Sequence, residues 1–358
     1  MAKTLKTLTF NAQRDEITKE NRNFILAELP DFVSDFIDFK SMRTSELTRY
    51  EYTLDIRQFL NYIHQNIDEL KERNIKDLDI KCLELVTDKM LIHYMNYYLK
   101  NHTDSEGNYI TNDESTTIRR KMSSISCLYK YAINTEKINK NPFKTIELPK
   151  RNKNKHIIKL EPDEAARFLE NIENSNVGSK KQQAYNKNFV KRDMSLCLLL
   201  LSTGIRVSEC CGLDITSVDM NKQTIVVKRK GGHIHELPFS DEAAAELKLY
   251  LEERKGIESI DGDNPLFLSS RRTRLSVDAI QNIVKKYANT LGLNKNITAH
   301  KLRATYGNTL YEETSDIYFV QEMLGHSSPD VTVNHYVEQN VEGKRGLARK
   351  LSFRNTSE

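Results

Sequence analysis

Ile118, Met122, Ile125, Tyr129 and Ala132 follow one another at intervals of four, three, four and three residues, so one face of an α-helix carries all five. A helix with such a stripe must bury it against another element. The pattern recurs through the first half of the chain. Leu47, Tyr50, Leu54, Phe59 or Leu60, and Ile63 keep helical spacing, with Ser45 placed to cap the start. Met90, Leu91, Tyr94, Met95 and Tyr98 make a stripe over 87–99, and Phe32, Val33, Phe36 and Ile37 one over 29–39 that Pro30 opens. Residues 1–24 are polar without clear periodicity and read as an arm or a short helix. The Asp-, Gly- and Asn-containing stretch 102–114 reads as a loop or a small hairpin.

The periodicity stops between Pro142 and Pro149. From Lys140 to Lys159 there are seven basic residues and one acid, Glu147. The segment carries +6 in a chain whose formal net charge is +4, so the remainder is slightly acidic. A concentrated basic strip in a near-neutral chain is either a solvated linker or the footprint of a polyanion partner. Its position marks a domain boundary. At 358 residues, about two domains are expected.

The second half reads as more helices around one small sheet. Helices are expected from Pro162 through Leu169, over 193–202, after Gly204, and over 241–254, 276–291, 298–311 and 317–324. Residues 174–188 are polar and read as a loop. The β-branched run Thr224 to Lys228 and the stretch from Ile234 to Phe239 read as two strands joined by Arg229-Lys230-Gly231-Gly232.

The longest unbroken apolar run, Leu196 to Leu201, falls far short of the roughly 20 residues a membrane span needs. The amino-terminal residues lack an apolar signal-peptide core, so a cytoplasmic protein is expected. The five cysteines, Cys82, Cys127, Cys197, Cys210 and Cys211, form no C-x-x-C pair and read as free thiols; no metal site is expected. A P-loop and a clear carboxylate cluster for a two-metal site are both missing from the sequence.

Five features carry chemistry. Arg206 follows an apolar helix and Gly204, at a helix start where backbone N–H groups face an anion, and Glu209 lies three residues on to orient it. Lys230 sits at the hairpin tip, where a turn lysine is ordinarily solvated but can also reach into a DNA groove. His300 and Arg303 share a helical face, by itself a common surface pair. His326 follows Leu324-Gly325. Tyr336 ends a short helix that Ser328 and Pro329 would start. Two guanidiniums offer planar, permanently charged donors for a phosphoryl group, and a phenol with a pKa near 10 needs neighbouring cations or a base to become a nucleophile.

In this order and spacing, Thr203-Gly204-Ile205-Arg206-Val207-Ser208-Glu209, Lys230-Gly231, His300-Lys301-Leu302-Arg303, Leu324-Gly325-His326 and Tyr336 resemble the tyrosine recombinase (phage integrase) family over nearly the whole chain. The resemblance implies a mainly α fold with a small β-sheet, arranged as a two-domain DNA clamp. It implies an amino-terminal arm (1–24), a helical, SAM-like core-binding domain (25–148), a basic linker (149–156), a catalytic domain (157–340) and a tail (341–358) able to exchange between protomers. It implies that Tyr336 forms a 3′-phosphotyrosyl link, that Arg206 and Arg303 clamp the non-bridging oxygens, that His300 and His326 assist at phosphorus with His300 accepting the phenolic proton, and that Lys230 protonates the leaving 5′-oxygen. Glu209 matches an acidic position beside the first arginine. Ala304 stands where many members carry a second histidine. No cofactor is implied, because a covalent phosphotyrosine conserves the bond energy for rejoining.

The implied partners are a double-stranded DNA recombination site and three further copies of the chain, a tetramer on two sites that proceeds through a Holliday junction; no membrane is implied. Phosphate contacts are expected from Lys150, Arg151, Lys153 and Lys155, with Arg49, Arg119, Arg120 and Lys121 as further candidates. Xer-type recombinase, mobile-element integrase and DNA invertase share this site; the segment from Asn186 to Asp193 mildly resembles single-recombinase Xer proteins. A type IB topoisomerase-like enzyme and a non-cleaving DNA-binding regulator are the alternatives.

Overall fold

The stripe of Ile118 to Ala132 lies on a helix of Ser115–Asn134, and its members are buried against the helix Glu46–Asn66, which buries Ile56, Phe59, Leu60 and Ile63 in return. The computed structural model describes residues 10–99, 101–103, 109–111, 115–149, 158–175, 177–229, 232–293 and 295–325. The chain divides into two compact units, 1–152 and 153–358. Lys150, Arg151, Lys153, Lys155, Lys230, His326, Tyr336 and the tail lie outside the described residues.

In the first unit the α-helices longer than a single turn are α1 (Phe10–Leu26), α2 (Asp31–Phe39), α3 (Glu46–Asn66), α4 (Asp88–His93) and α5 (Ser115–Asn134). The arm read over 1–24 includes most of α1. Ser45 caps α3 by accepting from the Thr48 N–H at 3.3 Å, and Pro30 stands at the N-cap of α2. The stripe over 87–99 is not one α-helix: after His93 it widens into a π-turn, Tyr94–Tyr98. The rings of Tyr62, Tyr94 and Tyr98 cluster there with centroids 4.9–5.3 Å apart, Tyr94 stacked on Tyr98 and Tyr62 inclined to both. The stretch 102–114 holds a hairpin, β1 (Asn101–Thr103) antiparallel to β2 (Tyr109–Thr111).

Two carboxylates in this unit gather donors from distant parts of the sequence. Asp55 on α3, only 2% exposed, accepts from Arg120 at 2.8 and 3.1 Å and from Ser124 Oγ at 2.7 Å, both on α5. Glu46 takes Arg22 of α1 and Arg49 of its own helix.

In the second unit the helices are α6 (Pro162–Glu173), α7 (Lys180–Lys187), α8 (Val190–Thr203), α9 (Val207–Cys211), α10 (Asp241–Arg254), α11 (Val277–Ala288), α12 (Ala299–Thr314) and α13 (Ile317–Leu324). Helix α8 is buried almost all round, against α6, α10 and α12. Helix α7 corrects the loop expected at 174–188. It has almost no apolar face, but a capping box starts it: Ser179 Oγ accepts from Gln182 N and Gln182 Oε1 from Ser179 N. The sheet gains a short strand the sequence did not announce. β3 (Val218–Asp219) pairs antiparallel with β4 (Thr224–Lys228), and β4 with β5 (Ile234–Pro238). Two residues are too few to show alternation, so β3 left no signal.

Asp193 is the polar hub of this unit. Fully buried on α8, it accepts from Arg192 Nε and Nη2 (2.9 and 2.7 Å), Lys286 Nζ (3.1 Å) and the Tyr287 hydroxyl (2.9 Å). Burial, and then the Asp193 charge, push the Tyr287 phenol far above its ordinary value, so it stays a donor. All five cysteines are free; four are buried, and burial pushes the Cys82 thiol up to about 12. Among the described residues no helix is long and apolar enough to cross a membrane, and no group of three or more His, Cys, Asp or Glu gathers that could hold a metal ion.

Candidate active site

Helix α13 ends at Gly325, and its C-terminal carbonyls set the site. An α-helix leaves its last carbonyls without N–H partners and carries partial negative charge there. Here four successive carbonyls, 322 to 325, accept from guanidiniums. Arg229 donates to Glu322 O at 3.2 Å and to Met323 O at 2.6 Å. Arg303 donates to Leu324 O, and Arg206 to Gly325 O at 3.1 Å. Arg303 also donates to Gly204 O, which ties the Thr-Gly-Ile-Arg turn to the same point.

Each arginine arrives from a different element. Arg206 stands at the N-cap of α9, where Glu209 accepts from both its backbone N–H and its guanidinium at 2.8 Å. The Arg206 side chain stays 40% exposed while Glu209 is buried beneath it. Arg303 is on the first turns of α12 and is 4% exposed. Arg229 follows β4 and is 6% exposed. His300 opens α12 one turn before Arg303 and is exposed.

Two glycines make the convergence sterically feasible. Gly204 caps α8 at φ +59°, and a Cβ there would lie 2.3 Å from the Tyr306 ring. Gly325 caps α13 at φ +62°, and a Cβ there would lie 2.2 Å from Arg229 Nη1. Both need the left-handed conformation and the missing side chain.

Sequence reading missed Arg229 and Tyr306. Burial lowers the Arg229 guanidinium from its ordinary value, opposed by Glu209 and reinforced by Arg206. Burial raises the Tyr306 phenol, against the pull of Arg229 and Arg303. An arginine side chain stays charged in proteins, so Arg206, Arg229 and Arg303 bring three positive charges to this helix end among the described residues. That surplus of fixed donors suits a phosphoryl group, whose charge grows on its equatorial oxygens during transfer.

Of the cations expected to touch DNA, the four among the described residues of the first unit have partners of their own. Arg49 pairs with Glu46, Arg120 with Asp55, Lys121 donates to Gln58 at 2.6 Å, and Arg119 to Pro149 O at 2.9 Å. Only Arg120 keeps close to half its side chain exposed, at 45%. Burial lowers Lys121 from its ordinary value.

Residues 159–342, just over half the chain, match the phage integrase family. The chain belongs to that family. Tyrosine recombinase XerS of Streptococcus thermophilus is 30% identical over 345 residues, covering 89% of this chain and 95% of the relative. The XerH site-specific recombinase, in a post-cleavage complex with a palindromic difH substrate, superposes with a TM-score of 0.63 at 23% identity over 86% of this chain and 81% of that one. A lambda integrase tetramer bound to a Holliday junction superposes at 0.60 with 19% identity over 86% and 76%. This recombinase is therefore a site-specific DNA-recombining enzyme with Xer-type relatives, and neither the topoisomerase nor the non-cleaving reading is favoured.

Proposed function

We propose that Arg206 and Arg303, at the end of α13, hold the scissile phosphate of a duplex recombination site and that Tyr336 attacks it. The phenolic oxygen bonds to phosphorus, the bond to the 5′-oxygen breaks, and a 3′-phosphotyrosyl link remains. His300 takes the phenolic proton, and Lys230 gives a proton to the departing 5′-oxygen. Arg206 and Arg303 bear on the non-bridging oxygens, Glu209 orients Arg206, and His326 donates to the same phosphate. The observation that carries this reading is the meeting of Arg206 and Arg303, 97 positions apart, on adjacent carbonyls of one helix end. Attack by a 5′-hydroxyl reverses the step, so rejoining uses no cofactor.

The first unit serves as the core-binding domain, with Lys150, Arg151, Lys153 and Lys155 on the DNA backbone between it and the catalytic domain. Strand exchange runs through a tetramer on two sites, with tail residues after 341 joining the protomers, in the cytoplasm. The likeness to a XerS recombinase over 89% of the chain supports a chromosomal Xer-type role over integration or inversion.

A nicked suicide substrate tests the nucleophile. Wild type and Tyr306→Phe are expected to form a covalent protein–DNA adduct that survives denaturation, and Tyr336→Phe to form none. An adduct with Tyr336→Phe, or its loss in a folded Tyr306→Phe variant, contradicts the assignment.

A further inference from the structure

An arginine at a hairpin turn ordinarily extends into water. Arg229 does not. It is 6% exposed, its Nε is buried without a partner among the described residues, and its other nitrogens donate to Glu322 O and Met323 O. Burying a guanidinium carries a desolvation cost that the helix-end carbonyls offset only in part. The backbone at Arg229 is fixed as well: its N–H donates to His233 O at 2.9 Å and its carbonyl accepts from Gly232 at 3.1 Å.

The consequence lies in the neighbours along the chain. Lys230 follows Arg229 directly, and His326 follows Gly325, against which the Arg229 guanidinium packs. Consecutive Cα atoms are about 3.8 Å apart. One buried side chain thus fixes the spacing between the chain position before Lys230 and the position before His326. Arg206 and Arg303 grip the same helix end but neither belongs to the hairpin.

We propose that Arg229 is a positioning residue for leaving-group protonation: it clamps the Lys230 hairpin onto the end of α13 so that the ammonium meets the departing 5′-oxygen. This rests on the assignment of Lys230 as general acid. When the bond from phosphorus to the 5′-oxygen breaks, that oxygen takes its proton from the Lys230 ammonium. A misplaced ammonium slows that step alone.

The test compares two suicide substrates that differ in one atom, a 5′-bridging oxygen or a 5′-bridging sulfur at the scissile phosphate. A thiolate is a far better leaving group than an alkoxide and departs without protonation. On the oxygen substrate Arg229→Met is expected to cleave about 100-fold more slowly than wild type, the lower end of what general acid–base catalysis supplies. On the sulfur substrate it is expected to come within about 5-fold of wild type, as is Lys230→Ala. Arg229→Lys, which keeps the charge and loses the two-pronged grip, should show the same rescue from a smaller deficit, and it decides the matter if Arg229→Met does not fold. Equal deficits on both substrates, or no deficit on either, overturn the role of Arg229 while leaving Lys230 rescued. Failure to rescue Lys230→Ala overturns the general-acid assignment and this proposal with it.

Discussion

Alanine at Arg206 is expected to slow strand cleavage by about 1,000-fold or more while leaving the fold nearly unchanged. The expectation follows from where the side chain is. Its side chain is 40% exposed and donates to Glu209 and to Gly325 O, so its loss opens no cavity in the core. Removing one preorganised charged donor from a phosphoryl-transfer site typically costs about 10³–10⁵ in rate. Arg206→Lys should recover little, because an ammonium lacks the planar fork that serves Glu209, the carbonyl and a phosphate together. Arg303→Ala should be as inactive but also less stable. That guanidinium is 4% exposed and joins Gly204 O to Leu324 O, so deletion leaves two carbonyls unpaired. Single-turnover cleavage with a melting curve for each variant separates the two arginines.

Asparagine at Asp193 is expected to destabilise the 153–358 unit by about 3–5 kcal/mol, the range for breaking a buried ion pair from one side. Asp193 takes four donors, two of them from Arg192 and one from Lys286. An amide keeps one acceptor oxygen, turns the other position into a donor aimed at donors, and leaves Arg192 buried without its counter-charge. Tyr287→Phe removes only one of the four bonds and should cost about 1 kcal/mol. The chain has no tryptophan, so far-UV circular dichroism in urea is the suitable readout. The midpoint of this unit's transition should fall by about 1–2 M for Asp193→Asn with an unchanged slope. A shift no larger than that of Tyr287→Phe would show that the hub is not the keystone of α8.

The sequence disclosed what has a local period. Helices α3, α5 and α11 were legible because their apolar residues recur every three or four positions, α8 because of its unbroken apolar run from Leu196 to Leu201, and β4 and β5 because β-branched residues flank a glycine turn. What stayed hidden depends on contacts between distant residues. Nothing near Asp193 says that Lys286 and Tyr287 meet it, and nothing near Arg120 says that Asp55 does. Arg119, Arg120 and Lys121 read as a cationic helix start facing DNA, yet Arg120 and Lys121 turn toward α3. Arg229 is the sharpest case. In Arg229-Lys230-Gly231-Gly232 it looks like a solvated turn cation, and only the fold brings the end of α13 to it. Helix α7 was missed because caps rather than an apolar face define it.

Family membership names the chemistry, and the helix end gives it a place. The central claim is that Arg206 acts on the negative charge of the scissile phosphate. The most direct measurement replaces that phosphate with a methylphosphonate, which removes one charged oxygen, and compares wild type with Arg206→Ala on both substrates. The roughly 1,000-fold deficit on phosphate is expected to shrink to about 10-fold or less on the neutral linkage, because the guanidinium has less charge to neutralise. The same deficit on both substrates would contradict the claim.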